Sequence, residues 1–292
     1  MHGLLSSPLF SKDSGLLISQ TKRELRRLNL RARKGLGQHF LVDDRVLRRL
    51  ISAVSLTPGD TVIEVGPGMG ILTRELAKGA DRVIAVEVDT RIATALREAL
   101  VPWTNVIVIN ADILESDPAS LLGVENSYKV VGTLPYYIAT AVIRHFLEAQ
   151  IKPLSIIVTV QKEVAQAIAA PPGQMSLLSV SVQLYGKPTI VDYIKPQSFY
   201  PPPKVDSAIV RVDLYERPTI AIADEAKFFT IVRGGFSAPR KQLRNSLALG
   251  LEISTGEASS LLEEAGIEQK RRAETLNLEE WARVYRVFVE KQ

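Results

Sequence analysis

Short apolar runs alternate with amphipathic stretches through the first half of the chain. The runs are rich in Val and Ile and predict strands at 61–66, 81–89, 105–112, 128–133 and 154–161. Apolar residues at three- and four-residue spacing predict helices between them, at 70–78, 90–100 and 138–149. Strands that are apolar on both faces and alternate with helices indicate a parallel sheet that is covered on both sides.

The pattern changes in the second half of the chain. Two strand candidates, around 188–194 and 207–214, lie close together and are expected to pair antiparallel at an edge of the sheet. Helical spacing follows, and it predicts helices at 224–236, 239–248, 257–265 and 278–290. We therefore predict an α/β fold with a mostly parallel, seven-stranded sheet over 20–215 and a small α-helical domain over 216–292.

The remaining composition narrows the class of protein. Residues 1–19 lack periodicity and are expected to form a disordered tail. No apolar run reaches the roughly 18 residues that a membrane-spanning helix needs. The chain has no Cys and three His, which argues against disulfides and against thiolate or His-rich metal sites. These features fit a cytoplasmic protein without a metal, and nothing in them requires more than a monomer.

Positive charge is clustered along the chain. The net charge is +4, but residues 20–34 hold seven Lys or Arg and one Glu. Two further basic clusters, "PRKQLR" and "QKRR", lie at 239–244 and 269–272. A single run of this kind is often a solvated face. Three runs in one chain favour a polyanionic partner.

A glycine-rich turn and two acids follow the first three of these strands. "EVGPGMG" (64–70) joins the first strand to the next helix, and its G-x-G-x-G spacing differs from the G-x-G-x-x-G of dinucleotide sites. Glu87 ends the second strand, where a carboxylate accepts ribose hydroxyls. Asp112 ends the third strand and faces the same crevice, where it can accept an adenine amino group. Each acid alone is equally consistent with a helix N-cap, but together they favour a nucleoside without pyrophosphate, such as S-adenosylmethionine.

A rigid aromatic turn ends the fourth strand. In "GTLPYY" (132–137), Pro135 fixes its own backbone and pushes Leu134 towards an extended conformation. Tyr136 and Tyr137 follow at once. The rings either face a ligand or belong to the core, and we expect the core position for Tyr137.

These strings together resemble the small-subunit ribosomal RNA adenine dimethyltransferases, the family known from kasugamycin resistance. The resemblance runs from about residue 20 to the C-terminus. It rests on "KGLGQHFL" (34–41), "EVGPGMG", "GTLPYY", "QKEVA" (161–165), "FYPPPKVDSAIVR" (199–211) and "RKQLRNSL" (240–247). It implies a Rossmann-like methyltransferase that uses S-adenosylmethionine. The cofactor contacts that it implies are His39, Leu41, Gly66, Glu87, Asp112 and Thr133.

The resemblance also implies a substrate and catalytic roles. Two adjacent adenines in a hairpin loop near the 3′ end of small-subunit rRNA, in an immature subunit, would receive methyl groups on N6. Tyr136 and Phe199 would stack on the flipped adenine, while the Leu134 carbonyl, held by Pro135, would accept an amine N–H. The helical domain would help to dock on the subunit. Phosphate contacts are expected from Lys22, Arg23, Arg26, Arg27, Arg31, Arg33, Lys34, Lys204, Arg240, Lys241, Arg244 and the cluster at 270–272.

One residue departs from the family pattern and keeps alternatives open. The family motif begins with Asn where this chain has Thr133, whose hydroxyl has a shorter reach. One alternative is therefore an RNA-binding ribosome-assembly factor with weak or lost catalysis. Another is the related enzyme that dimethylates large-subunit rRNA, although "PPPKVDSA" and "LRNSL" favour the small-subunit branch. A nicotinamide oxidoreductase is disfavoured by the glycine spacing.

Overall fold

A seven-stranded sheet forms the centre of the structure. The computed structural model describes residues 15–27, 32–125 and 127–291. The strands are β1 Phe40–Leu41, β2 Thr61–Val65, β3 Arg82–Glu87, β4 Val106–Asn110, β5 Lys129–Thr133, β6 Ser155–Gln161, β7 Gly186–Ile194, β8 Phe199–Tyr200 and β9 Ser207–Leu214. The large sheet has the order β4-β3-β2-β5-β6-β9-β7, and β1 and β8 form a separate two-stranded ladder.

The sheet confirms the predicted strand directions. The neighbours from β4 to β6 are parallel, whereas β9 pairs antiparallel with both β6 and β7. The central strands are covered on both faces, since residues 83–86 of β3 are at most 2% exposed. Seven strands predicted from Val- and Ile-rich runs are therefore all present, with ends that differ by a few residues.

Twelve α-helices surround and extend this sheet in the part of the chain that the structure describes. They are α1 Gly15–Arg27, α2 Asp44–Val54, α3 Ile71–Ala77, α4 Thr90–Ala99, α5 Pro118–Leu122, α6 Ala139–Glu148, α7 Lys162–Ile168, α8 Leu177–Tyr185, α9 Glu225–Phe236, α10 Leu243–Gly250, α11 Thr255–Glu264 and α12 Leu278–Glu290. The seven helices predicted by apolar spacing are confirmed. Five further helices, α1, α2, α5, α7 and α8, were not predicted from the apolar spacing.

The predicted disordered tail is wrong for its last five residues. Helix α1 begins at Gly15, so 15–19 are helical. The physical reason is a stripe at four-residue spacing, in which Leu17 is half-buried and Thr21 and Leu25 are buried. Leu25 packs in a cluster with Phe40 and Ile92. Residues 1–14 lie outside the described residues.

The C-terminal helices share a hydrophobic cluster with one face of the sheet. Trp281 and Phe228 are fully buried and belong to the same cluster as Ile63 of β2. Backbone bonds also join the two regions, because Gly173 N and Met175 N both donate to Glu274 O. The helical region over 216–292 is therefore packed against the sheet domain rather than tethered to it.

We searched the described residues for membrane-spanning helices and for clusters of metal ligands. Within 15–27, 32–125 and 127–291, no helix has the length and apolar character needed to cross a membrane. The same residues contain no group of three or more His, Asp or Glu arranged to hold a metal ion.

Candidate active site

A cleft opens at the carboxyl ends of the parallel strands, where β2 lies between β3 and β5. The chain leaves β2 towards β3 on one side and returns through β5 on the other, and ligands of open α/β sheets bind at such a switch point. The cleft is lined by the glycine turn, by the ends of β3 and β5, and by residues of β1 and β8. All of the residues predicted to bind cofactor or target base line this one cleft: His39, Leu41, Gly66, Glu87, Asp112, Thr133, Leu134, Pro135, Tyr136 and Phe199.

The glycine turn presents bare backbone to the cleft. Gly66, Gly68 and Gly70 have φ of 67°, 54° and 73°, in the left-handed region that favours glycine. A Cβ built on Gly66 would meet no atom within 4 Å, so this space is free for a ligand. The Arg74 guanidinium donates to Met69 O and Gly70 O, both at 3.1 Å, and holds the turn in place.

Glu87 is a buried acid tied to that turn. Its Oε1 accepts from Asp89 N at 2.9 Å, and its Oε2 accepts from Gly68 N at 3.3 Å. Burial raises the pKa of Glu87, and these backbone N–H groups partly offset the rise. Helix α4 is capped by Asp89 instead, so the N-cap alternative is wrong for Glu87. Because each carboxylate oxygen keeps a further lone pair, Glu87 can accept ribose hydroxyls as well.

Asp112 caps a short turn and also lines the cleft. Its Oδ1 accepts from Leu114 N at 2.9 Å and caps the 3₁₀ turn Ile113–Glu115. The residue nevertheless lines the cleft beside Glu87. A carboxylate has two oxygens, so the cap does not exclude a hydrogen bond to an adenine amino group.

The open glycine backbone and the two acids fit S-adenosylmethionine. Gly66 leaves room for close approach, while Glu87 and Asp112 supply acceptors for the donors of an adenosine. Leu41 is buried and contributes apolar wall. The roles of these individual residues stay predictions, but their placement in one cleft is what the predictions require.

The aromatic turn forms the opposite wall. The Tyr136 hydroxyl and Ser207 Oγ are 2.5 Å apart, and Ser207 is fully buried. The rings of Tyr136 and His39 are stacked, with centroids 5.9 Å apart and planes 26° apart. His39 Nδ1 lies 2.6 Å from Pro201 O. His39 therefore packs against the ring of Tyr136 while it also lines the cleft.

Phe199 reaches the cleft through the small ladder. In that ladder Phe199 pairs with Leu41, and Tyr200 pairs with Phe40. Phe199 is 4% exposed and lies among apolar side chains while it lines the cleft with Tyr136. The ladder therefore joins the predicted cofactor edge at Leu41 to the predicted base-binding ring at Phe199.

Thr133 lies between the two walls as the last residue of β5. It pairs in parallel register with Thr159 of β6, which also lines the cleft. Among the described residues no hydrogen bond is formed by the Thr133 side chain. Pro135 O accepts from Ile138 N at 3.1 Å, which closes the turn that follows.

Tyr137 corrects the sequence analysis. It was expected in the core, but 63% of it is exposed. Tyr136 turns inward to Ser207, so the next side chain points outward. The ring of Tyr137 lies instead at the rim of the cleft, beside Gly37.

Three residues at the cleft were not predicted from the sequence: Ser207, Thr159 and Gly37. Ser207 belongs to "PPPKVDSA", but that string does not say which ring its hydroxyl contacts. Thr159 lies inside an apolar strand, where no period marks it as a cleft residue. Their roles depend on contacts between segments that are far apart in the chain.

The residues predicted to contact RNA differ in their exposure and in the partners that they already have within the protein. Exposed side chains are Arg23, Arg26, Arg27, Arg33, Lys204, Arg240 and Lys241. Arg27 pairs with Glu24 at 2.9 Å, and Arg33 lies 3.4 Å from Asp89. Lys22 is half-buried, with Nζ 4.9 Å from the centre of the Tyr200 ring. Arg31 and the side chain of Lys34 lie outside what the structure describes.

Two cations are poorly placed to serve as phosphate contacts. Arg244 is half-buried, and its Nε is enclosed without a partner in the described structure. Arg271, in the predicted cluster at 270–272, donates to both carboxylate oxygens of Glu280 at 2.5 and 3.0 Å. Arg271 also donates to Thr275, so it ties α12 to the preceding segment. The basic strings therefore include structural cations that spacing alone does not separate from surface ones.

Comparison with solved structures defines the class. The 23S rRNA methyltransferase ErmE superposes with a TM-score of 0.68 and 30% identity, over 85% of this chain and 98% of that one. A dimethyladenosine transferase from Plasmodium falciparum gives a TM-score of 0.75 at 23% identity, over 87% and 98%. The fold is that of a Rossmann-like methyltransferase, a class that uses S-adenosylmethionine as methyl donor.

Sequence comparison defines the family. Residues 29–289 match the family described as ribosomal RNA adenine dimethylase. The protein named ribosomal RNA small subunit methyltransferase A in Dehalococcoides mccartyi is 48% identical over 284 residues, which are 97% of this chain and 98% of the relative. The protein of that name in Geobacter metallireducens is 42% identical over 265 residues, 89% and 96% respectively. The chain belongs to the ribosomal RNA adenine dimethylase family.

Proposed function

We propose that this protein transfers methyl groups from S-adenosylmethionine to the N6 amines of two adjacent adenines in a 3′-terminal hairpin loop of small-subunit (16S) rRNA. The observation that carries the proposal is a single cleft that holds both predicted sets of residues. The glycine turn, Glu87 and Asp112 form one wall, and Thr133, Pro135, Tyr136 and Phe199 form the other. A nucleoside cofactor and a flipped base would therefore meet between the walls.

The residues of the chain act by holding and orienting the adenine. Bound S-adenosylmethionine would supply an electrophilic methyl group on a sulfonium. The N6 amine is a weak nucleophile because its lone pair is delocalised into the ring. An acceptor at the Leu134 carbonyl favours a pyramidal amine with its lone pair directed at the methyl group. The amine would form the new C–N bond as the S–C bond breaks, and the resulting ammonium would be acidic enough to lose its proton to water.

Two aromatic side chains would offset the cost of extruding the base. Removing a base from its stack costs a few kcal/mol, and each base–aromatic contact is worth about 1–3 kcal/mol. Tyr136 is anchored by Ser207 and His39, and Phe199 is anchored in the apolar wall beside Leu41. Because the rings are already anchored, they lose little side-chain entropy when the base binds. We expect most of the rate enhancement to come from positioning of the amine against the methyl group.

The small-subunit target is favoured by the relatives. Those of 48% and 42% identity carry a small-subunit name, whereas the 23S rRNA methyltransferase ErmE is 30% identical. We propose an immature small subunit as the substrate and a role in ribosome biogenesis, with the protein acting as a cytoplasmic monomer. Exposed cations on α1, at Lys204 and at Arg240 and Lys241 would contact rRNA phosphates.

The test compares the native protein with Thr133→Asn, using labelled S-adenosylmethionine and immature small subunits that lack the modification. We expect the native protein to form dimethyladenine. We expect the Asn variant to be about fivefold faster, the effect of one ordinary hydrogen bond of about 1 kcal/mol. Tyr215→Ala, on an exposed residue at the far end of β9, serves as a control with unchanged activity.

The alternatives give different outcomes. No incorporation by the native protein, with activity restored by Thr133→Asn, would identify an assembly factor that has lost catalysis. Methylation of large but not small subunits would identify the large-subunit enzyme. Either result overturns the proposal.

A further inference from the structure

An exposed tyrosine lies at the rim of the cleft. Tyr137 is 63% exposed, although a Tyr ring removed from water normally contributes to stability. It follows Tyr136 directly, and the two side chains diverge: Tyr136 reaches inward to the buried Ser207. Consecutive residues of the cleft lining therefore carry one ring inside the cleft and a second, largely exposed ring at its rim.

The ring of Tyr137 packs on one side against the segment that contains Gly37. Gly37, with φ of 56°, lies so close that a Cβ there would be 3.2 Å from Cδ1 of the Tyr137 ring and 3.3 Å from Cβ of Pro135. The segment that carries Gly37 is itself closed, because Leu36 N and Gln38 N both donate to Arg33 O. Gln38 Oε1 accepts from Arg33 N at 2.9 Å. A folded segment thus supports one side of the ring and leaves the rest to solvent.

The ring has no evident structural partner. Among the described residues, Tyr137 forms no ring–ring contact and its hydroxyl forms no hydrogen bond. Tyr136, by contrast, has both. An exposed, supported aromatic ring is the arrangement that proteins use to stack single-stranded nucleic acid. The supporting segment also carries Arg33, which is 51% exposed and lies 3.4 Å from Asp89.

We propose that Tyr137 is the stacking site for the unpaired base next to the target adenine. The inference rests on the proposed function, since it needs a base in the Tyr136–Phe199 slot. A flipped nucleotide turns its base inward while its neighbour stays outside, and Tyr136 and Tyr137 diverge in the same way. Tyr137 would hold the neighbour and so align two adjacent adenines for successive entry. It is a binding residue for the neighbour and has no contact with the reacting amine.

The experiment uses synthetic RNA hairpins with one target adenine and either an ordinary or an abasic nucleotide on its 5′ or 3′ side. Methyl transfer is followed in single turnovers at saturating S-adenosylmethionine. For the native protein, we expect removal of the stacked base to raise the half-saturating RNA concentration by about 5- to 150-fold, the range that base–aromatic stacking covers. The maximal rate is expected to stay the same, because the target slot is intact.

Variants separate stacking from other roles. Tyr137→Ala should raise the half-saturating concentration by the same factor on the ordinary hairpin and show no further loss on the abasic one. Tyr137→Phe keeps the ring and should stay within about twofold of the native protein. Tyr215→Ala removes an exposed tyrosine at the far end of β9 and should behave as native. Unchanged binding of S-adenosylmethionine verifies that each variant is folded.

The outcomes are distinct from those that test the proposed function. If the native protein and Tyr137→Ala lose affinity equally for both abasic hairpins, the inference is wrong. Equilibrium binding of the same hairpins is measured in parallel and needs no methyl transfer. A native protein that binds hairpins with the predicted dependence on Tyr137, yet transfers no methyl group, would contradict the proposed activity and keep the stacking site.

Discussion

The two walls of the cleft are built in different ways. We call the glycine turn, Glu87 and Asp112 the cofactor half, and His39, Tyr136, Phe199 and Ser207 the target half. Hydrogen bonds in the cofactor half join residues 19 and 2 positions apart, as in Gly68–Glu87 and Leu114–Asp112. Those in the target half join residues 71 and 162 positions apart. The cofactor half is thus a product of consecutive strand–helix units, whereas the target half exists only when remote segments meet.

The largest expected effect is on the cofactor half alone. Glu87→Ala removes two hydrogen bonds to backbone N–H groups and the predicted acceptor of the ribose. Bonds to a charged group are worth about 1.5–3 kcal/mol each. We expect the dissociation constant for S-adenosylmethionine, measured by calorimetry, to rise about 10²- to 10⁴-fold. RNA affinity should stay within about twofold, and Glu98→Ala, an exposed acid on α4, is the control. A comparable loss of RNA affinity would show that the two halves are not separable.

The second prediction concerns a buried acid beneath the glycine turn. Burial raises the pKa of Glu64 on β2 from 4.5 to about 8, and its Oε2 has no partner in the described structure. Between these pH values the folded state holds a proton that the unfolded state releases. The contribution of Glu64 to stability is therefore fully present below about pH 4.5 and is lost as pH rises towards 8.

The matching measurement is the free energy of unfolding in urea from pH 5 to pH 8. We expect the native value to fall by up to about 1.4 kcal/mol per pH unit from this one group. Glu64→Gln cannot ionise, so its curve should be flatter, while the exposed Glu98→Gln should follow the native curve. Parallel curves for the native protein and Glu64→Gln would mean that Glu64 is already charged in the folded state.

A smaller effect tests the long-range contact in the target half. Tyr136→Phe and Ser207→Ala each remove one side of the same hydrogen bond, which is worth about 1 kcal/mol. We expect each variant to lower kcat/KM for RNA about fivefold, and the double variant to be no worse than either single one. Cofactor affinity should not change. Additive losses would indicate that Ser207 acts on the cleft without Tyr136.

The smallest effect lies outside both halves. Arg26 on α1 is exposed and has no ion-pair partner among the described residues. If it contacts an RNA phosphate, Arg26→Ala should lower the slope of log affinity against log salt by about 0.7–0.9. Lys152→Ala, before the amino end of β6, is the control. An unchanged slope for Arg26→Ala would show that Arg26 does not contact an RNA phosphate.

This contrast explains what the sequence could and could not predict. The strands and the glycine turn follow from local patterns, and the acids Glu87 and Asp112 follow from their place after strands. Each of these features depends on residues within one strand–helix unit. The glycine turn, Glu87 and Asp112 therefore meet in one cleft. Leu41 and His39, by contrast, reach it through contacts with Phe199 and Pro201, which are far away in the chain.

The features that the sequence did not predict all depend on contacts between residues that are far apart in the chain. Residues 15–19 are helical because α1 finds the apolar side chains of Phe40 and Ile92, which no local period reveals. Tyr137 lies at the exposed rim, while the neighbouring Tyr136 contacts the buried Ser207, 71 positions away. Arg271 is structural because Glu280 on α12 faces it. Contacts of this kind are visible only in the folded structure, even where the local sequence pattern is clear.

The ladder between β1 and β8 also sets an order of events during synthesis of the chain. Strands β2 to β5 and both acids have all been synthesised once the ribosome has added residue 133, so the cofactor half can assemble early. The base-binding wall must wait for 199–207, because Phe40–Leu41 stay without their partner strand until then. In a nascent chain, the binding site for the methyl donor would therefore form well before the binding site for the adenine.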